Sequence, residues 1–371
     1  MSQNAASEPA LRSINPEELL GREPVQLHTE QARSRIAGRV VMVTGAAGSI
    51  GAELCRQLLG CDPALLVCLD HAETPLFLLQ QALQDVPGHT AFCLADITHE
   101  SRMRAVMKRY GVQAIFHAAA CKHVPLMEAN PEEAVRHNVF GLETVLKVAE
   151  QSGCEDFLFL SSDKAVHPAG VMGCTKRIGE LMIADCRASA MRCLSVRFGN
   201  VLSSQGSVVP LFQEQMRRHR EITVTHAEMT RYFMTIPEAV SLVLQGFAIG
   251  ERGDVLVLDM GEPVRITEMA KSLIALAGFS PDEVRIVYTG LRPGEKLQER
   301  LFYDFEQRVA TSVEKISRAE GEAGSVVEAS LQALKAACEA ADEAKIRAQL
   351  KALVPQYQWE QGGGVSAGEK Q

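Results

Sequence analysis

The chain has 371 residues, of which 46% are hydrophobic and 23% charged, and a formal net charge of −8. A chain this long buries a substantial core, as one two-lobed unit or as two domains. The mildly negative charge without a basic tract excludes an electrostatic footprint for nucleic acid, and no apolar run is long enough to span a bilayer.

Residues 1–37 form a polar lead without the apolar stretch of a secretory signal. Its one patterned piece is Ile14 to Leu20, where Pro16 sits just inside a helix start with Glu17 and Glu18 behind it. Regular alternation follows. Strands are expected at 40–44, 65–70, 90–95, 113–117, 156–160 and 192–197, and helices at 49–60, 74–85, 99–110, 131–152 and 172–189. Such alternation predicts an α/β fold, a Rossmann-type doubly wound parallel sheet over residues 38–198. Ligands of these sheets sit beyond the C-terminal strand ends, here Gly45, Asp70, Asp96, Ala118, Ser161 and Arg197.

After residue 198 loops lengthen and short strands mix with helices, which predicts a smaller mixed α/β lobe over 199–310 that closes over the cofactor. Parts of 225–265 are expected in the larger lobe; Val255 to Asp259 reads as a strand and Thr267 to Leu276 as a helix. Residues 311–371 form a tail. Its stretch from Ala319 to Leu353 is rich in Ala, Glu and Lys, and Val327, Leu331, Leu334 and Ala337 have helical spacing. Gly362 to Gln371 is expected to be disordered. The ten cysteines show neither C-x-x-C nor Cys/His ligand spacing, so they read as reduced buried thiols of a cytoplasmic protein that holds no metal. His99, His167 and His226 also lack metal spacing.

The run Val40 to Val43 leads into Gly45, Ala47, Gly48, Ser49, Ile50 and Gly51, where a helix pattern opens. Glycine is needed where φ is positive or where backbone approaches a ligand closely. The first helical turn leaves unpaired N–H groups that fit a pyrophosphate. Asp70, about twenty residues on, ends the second strand; a carboxylate there accepts bonds from the ribose hydroxyls of NAD and repels the 2′-phosphate of NADP. The bland alternative is a turn rich in glycine followed by a surface Asp.

The fifth strand ends in Ser161-Ser162-Asp163-Lys164, and Met172 and Lys176 follow, four apart on one helix face. Alone, Ser162-Asp163-Lys164 also reads as a polar helix cap. With the glycine motif the set resembles the extended short-chain dehydrogenase/reductase family. That family places a Ser or Thr after strand five beside a Tyr-x-x-x-Lys pair, whose Lys bonds the nicotinamide ribose. Here Met172 replaces the Tyr and has no proton to exchange.

The block Ala118-Ala119-Ala120-Cys121-Lys122-His123 through Glu128 narrows the likeness, as do Arg197-Phe-Gly-Asn200, Gly206 to Phe212, Thr230 to Met234 and Arg292-Pro-Gly-Glu295-Lys296. Over about Ile14 to Phe305 the chain resembles the polysaccharide-biosynthesis (CapD-like) branch, UDP-N-acetylglucosamine 4,6-dehydratases. Many of these carry membrane spans ahead of a catalytic domain, and the chain is expected to be the cytoplasmic part.

The resemblance implies NAD as the cofactor. NAD oxidises C4 of the sugar, water is lost across C5 and C6, and the hydride returns to C6. Asp163 is then the acid for the C6 hydroxyl, Lys164 the base for C5, and Ser162 a hydrogen-bond partner of the C4 oxygen. Asp163 or a water held by Lys176 takes the C4 proton. Reference pKa values of about 4 and about 10 require large shifts. An ion pair between Asp163 and Lys164 would oppose them, so the two are expected to face the substrate separately.

The resemblance also places Gly45 to Gly51, His71, Asp96, Ile97, Ala118 to Ala120, Lys122, Asn138, Ser161 and Lys176 around the cofactor. It places Lys122, His123, Ser162, Asn200, Val201, Val209, Pro210, Arg231, Arg292 and Glu295 around the nucleotide sugar, in a homo-oligomer of two or more copies. Plainer readings stay open for several: Asp96 as a turn residue, Asn138 as an ordinary helix Asn, Arg231 and Arg292 as salt-bridge partners. A C4 epimerase and a non-catalytic NAD-binding protein are the competing functions.

Overall fold

The computed structural model describes residues 30–358, apart from 187, 188, 205, 281 and 322–327. The expected Ile14–Leu20 helix and the stretch from Gly362 lie outside the described residues. The strands are β1 (Val40–Thr44), β2 (Leu65–Asp70), β3 (Thr90–Leu94), β4 (Ala114–His117), β5 (Asp156–Leu160), β6 (Arg192–Arg197), β7 (Val255–Leu258), β8 (Gln307–Ala310) and β9 (Ile316–Glu320). They form one nine-stranded sheet in the order β8-β9-β7-β6-β5-β4-β1-β2-β3. Neighbours from β3 to β7 run parallel, and β9 is antiparallel to both its partners. The chain reverses direction across the sheet between β1 and β4, which opens a crevice at their C-terminal ends.

The helices are α1 (Glu30–Ile36), α2 (Ser49–Leu59), α3 (Glu73–Ala82), α4 (Glu100–Tyr110), α5 (Val124–Ala129), α6 (Pro131–Val135), α7 (Gly141–Gln151), α8 (Val171–Asp185), α9 (Val208–His219), α10 (Ile236–Ile249), α11 (Ile266–Leu276), α12 (Glu328–Glu339) and α13 (Glu343–Leu353). Successive strand side chains point to opposite faces. Val41 and Val43 therefore join the cluster under α1, α2 and α10, while Met42 joins the one under α4, α7, α8 and the two tail helices. A third cluster, with Phe212, Met216, Leu273 and Ile274, packs α9 and α11 on the parallel strand pair 221–224 and 285–288. No helix among the described residues is long and apolar enough to cross a membrane. All ten cysteines are free thiols.

Two elements differ from the periodicity. The helix expected over 131–152 is broken by a π-helical turn at Arg136–Phe140. Asn138, inside that turn, accepts from Cys121 N at 2.8 Å and donates to Cys121 O at 2.9 Å and Thr175 Oγ1 at 3.0 Å. An inserted residue of this kind re-aims one side chain without ending the helix. The helical composition from Ala319 is misleading at its start: Ala319 and Glu320 end β9, and the described helix is Glu328–Glu339.

The tail grips the helix that carries Met172 and Lys176. Arg347 of α13 donates to Glu128 Oε2 and to the Glu128 carbonyl, each at 2.8 Å, and the other Glu128 oxygen accepts from Val171 N at the start of α8. The pair is nearly closed to water, at 12% and 11% exposed. Removing one partner of such a pair leaves an uncompensated charge and costs about 3 kcal/mol. Arg347→Met is therefore expected to lower the thermal midpoint by several degrees, read by calorimetry; an unchanged midpoint contradicts the brace.

Candidate active site

The turn after β1 can be made only with glycine. Gly45 has φ +68°, and a Cβ on it would lie 2.6 Å from Ala119 backbone. A Cβ on Gly51 would lie 2.0 Å from Gly45 O, so the first turn of α2 sits directly on the loop. The first turn of α2 follows Gly48 directly, at the crevice between β1 and β4. Its walls include Gly45, Ala47, Gly48, Asp70, His71, Asp96, Ile97, Ala118, Ala119 and Ala120. Asp70 is buried at the end of β2; its oxygens accept from Ala47 N and Ala72 N, both at 2.9 Å, and retain lone pairs for a ligand. Asp96 closes a turn on Thr98 while also lining the crevice. His137, which the sequence reading missed, is a further wall residue. Its ring stacks on His71 with centroids 6.2 Å apart. A glycine cradle, a helix N-terminus and a carboxylate at the neighbouring strand end fit a dinucleotide.

Past β5 the backbone makes one 3₁₀ turn, Asp163–Ala165. Asp163 is completely buried. Its Oδ1 accepts from Ser162 Oγ at 2.9 Å and Lys164 Nζ at 3.0 Å, and Oδ2 has no hydrogen-bond partner among the described residues. Lys164 Nζ also donates to Asn200 Oδ1 at 2.8 Å and lies 3.9 Å from Glu299 Oε1. The structure thus joins Asp163 and Lys164 in a direct ion pair, contrary to the expectation that they stand apart. Both follow one strand end on a single tight turn, and Gly199 lies so close that a Cβ added to it would sit 3.2 Å from Asp163 Oδ2.

Met172 is buried within the apolar cluster of α8. Lys176 Nζ donates to Leu160 O at 2.9 Å and lies over the Phe159 ring. Burial pushes its ammonium down to about 8. His117 bonds Thr44 Oγ1 at 2.9 Å; burial, with the Lys176 charge, pushes it down to about 3, so it is neutral. Ser161 faces away from the crevice: its Oγ donates to Glu180 Oε1 at 2.6 Å. Glu180 in turn is gripped by the fully buried Arg197 at 2.9 Å and by Arg177. Burial works against its charge, but the Arg197 guanidinium outweighs that and holds it below the usual carboxylate range.

The expected sugar-nucleotide residues are less uniform. Lys122 and His123 are exposed at the start of α5, and the His123 ring lies against Gly206. Asn200 and Val201 form a short strand beside Lys164. Val209 points into the third buried cluster, and Pro210 is exposed. Arg231 spends its guanidinium on the carbonyls of Thr230, Lys296 and Leu297. Arg292 is exposed, and its backbone N–H is held by Glu295 Oε2 at 3.3 Å. Glu299 was missed, although it stands three residues beyond Lys296 in the quoted motif, a spacing that pairs side chains on a helical turn. No group of His, Cys, Asp and Glu placed to hold a metal occurs among the described residues.

The model of the family described as polysaccharide biosynthesis protein matches residues 41–321. The chain is similar to the probable polysaccharide biosynthesis protein EpsC of Bacillus subtilis (strain 168). The two are 48% identical over 295 residues, 78% of this chain and 49% of that protein. It is similar to the capsular polysaccharide biosynthesis protein CapD of Staphylococcus aureus, 44% identical over 313 residues, 83% of this chain and 52% of that one. It spans about half the length of both relatives. Among solved structures, Pen from Bacillus thuringiensis is 30% identical with a TM-score of 0.72, covering 79% of this chain and 90% of that one. Proteins named UDP-glucose 4-epimerase are similar too; one from Rickettsia canadensis (strain McKiel) is 35% identical over 71% of this chain and 77% of its own.

The burial of Lys176 has a direct test. In isotope-labelled protein its side-chain resonance is expected to titrate near pH 8, protonated below and neutral above. A midpoint near the ordinary value of about 10.4 contradicts the desolvated placement.

Proposed function

This chain belongs to the polysaccharide biosynthesis protein family, and from that premise we propose that it is an NAD-dependent 4,6-dehydratase of UDP-N-acetylglucosamine. The product is the UDP-2-acetamido-2,6-dideoxy-4-keto-hexose. The observation that carries the reading is the Asp163–Lys164 pair at the end of β5, its aspartate fully buried and its lysine 20% exposed, with Met172 buried where a phenol would stand. Gly45, Gly51, the α2 N-terminus and Asp70 hold the NAD, and Lys176 sits where its nicotinamide ribose would bind. Bound NAD supplies the oxidant for C4 and the hydride that returns to C6.

The protein's own part is proton movement. Asp163, as carboxylate, takes the C4 hydroxyl proton while Ser162 hydrogen-bonds the C4 oxygen. The new ketone acidifies C5. Lys164, as amine, takes the C5 proton, and Asp163 passes the proton from O4 to O6, which leaves as water. Lys164 then returns a proton to C5 as the hydride arrives at C6. The O4 proton departs in the water, so the cycle closes without net gain or loss. One amine that takes and returns the proton from one side gives retention at C5. Positioned acid–base groups of this kind contribute about 10²–10⁴ in rate. Asn200 belongs with the substrate because it steers the Lys164 amine. The same reading places the chain in the cytoplasm, where nucleotide sugars are made, as a homo-oligomer.

The similarity to epimerases favours one rival, C4 epimerisation. That reaction has no use for an acid and a base at C5 and C6. Mass spectrometry after incubation with NAD and UDP-N-acetylglucosamine separates the two. Loss of water is expected, with solvent deuterium entering C5, and Lys164→Ala is expected to abolish both. A product of unchanged mass contradicts the dehydratase, and persistent exchange in Lys164→Ala contradicts the assigned base.

A further inference from the structure

We propose that Glu299 is the acceptor that unloads Lys164, taking its third proton so that the amine is free to attack C5. The inference rests on the dehydratase reading and deepens it. Lys164 Nζ is paired with Asp163 Oδ1 and donates to Asn200 Oδ1, and the ammonium form that such an ion pair favours has no lone pair and cannot act as a base. One proton has to leave. Handing it to Asp163 would fill the carboxylate that receives the O4 proton, so Asp163 cannot serve both steps. Asn200 offers an amide oxygen, which holds no proton. The remaining carboxylate is Glu299, with Oε1 3.9 Å from Nζ, a separation that a small side-chain rotation closes.

Three features fit Glu299 for this. Its side chain is 2% exposed, so water does not compete for the proton. Lys296 Nζ pairs with its other oxygen, which leaves Oε1 as the oxygen nearest Lys164. Lys296 Nζ also donates to Val166 O at 2.9 Å, tying the 296–299 segment to the turn that carries Asp163 and Lys164. The charged and titratable groups facing this cluster are Asp163, Lys164, Lys296 and, beyond Asp163, Tyr232. The transfer balances: an N–H bond of Lys164 breaks, an O–H bond of Glu299 forms, and an ammonium and a carboxylate become an amine and a carboxylic acid. Glu299 touches no substrate and acts through Lys164, so it is a positioning residue with a proton to hold.

The test compares wild type, Glu299→Gln and Glu299→Asp in deuterated buffer with NAD and UDP-N-acetylglucosamine. In Glu299→Gln, C5 exchange and water loss are expected to fall on the order of tenfold to a hundredfold. C4 oxidation, read as reduced cofactor in a single turnover, and KM are expected to stay within about twofold. Glu299→Asp, which keeps a carboxylate, is expected to recover part of the exchange. A merely structural role would lower oxidation and exchange together and gain nothing from Asp. C5 exchange at the wild-type rate in Glu299→Gln overturns the assignment while leaving the dehydratase reading intact. If wild type itself releases no water, it is the dehydratase reading that falls. Should Glu299→Gln not fold, Glu299→Asp carries the same comparison, since moving the carboxylate back by one methylene is then expected to slow exchange without slowing oxidation.

Discussion

The account turns on an aspartate and a lysine, adjacent in sequence, held 3.0 Å apart in a pocket that leaves the aspartate no contact with water. Two opposite charges in a poorly solvated site lose hydration energy and recover it only through their mutual attraction and further hydrogen bonds. The structure supplies those bonds: Ser162 donates to Asp163, and Lys164 donates to the Asn200 amide oxygen. The pair is therefore held by contacts on both of its members and not by their mutual attraction alone. The sequence reading treated an ion pair as an obstacle to catalysis. In the structure the pair is formed, and the mechanism proposed above has to depart from it.

The rest of the fold holds that turn still. Beneath it, Arg197 and Glu180 lock β6 to α8, and Ser161 anchors the end of β5 to the same carboxylate. Arg197 also reaches Glu306 at 2.8 Å, and Tyr303 donates to Ala165 O at 2.6 Å, which fastens the 303–306 segment under the 3₁₀ turn. Removing any one of these partners leaves a buried charge or hydroxyl unpaired, which is why such networks act as a unit. From the opposite side, Glu128 and Arg347 fix the start of α8. The tail helices that supply Arg347 lie beyond the residues matched by the family model.

The first six strands and their helices were legible because parallel strands are buried on both faces and read as short apolar runs rich in valine and leucine, with glycine turns between them. Val40 to Val43 and Leu65 to Leu69 show this plainly. The dinucleotide turn was legible because its glycines answer a local demand of backbone geometry. The π turn was not, because it is set by a bond from Asn138 to a segment 17 residues earlier. The strand at Ile316–Glu320 was not, because its Arg-Ala-Glu end has helical composition. Met172 and Lys176 announced a site by their spacing, but Glu299 comes to Lys164 from across 135 positions of chain and only folding brings them together.

The most direct measurement is the structure of a ternary complex with oxidised cofactor and an unreactive UDP-sugar. The account requires Lys164 Nζ to have left Asp163 and turned toward the C5 hydrogen, with an Asp163 oxygen within hydrogen-bond reach of both O4 and O6. A complex in which Lys164 still bonds Asn200 and Asp163, with its amine directed away from the hexose, would contradict it.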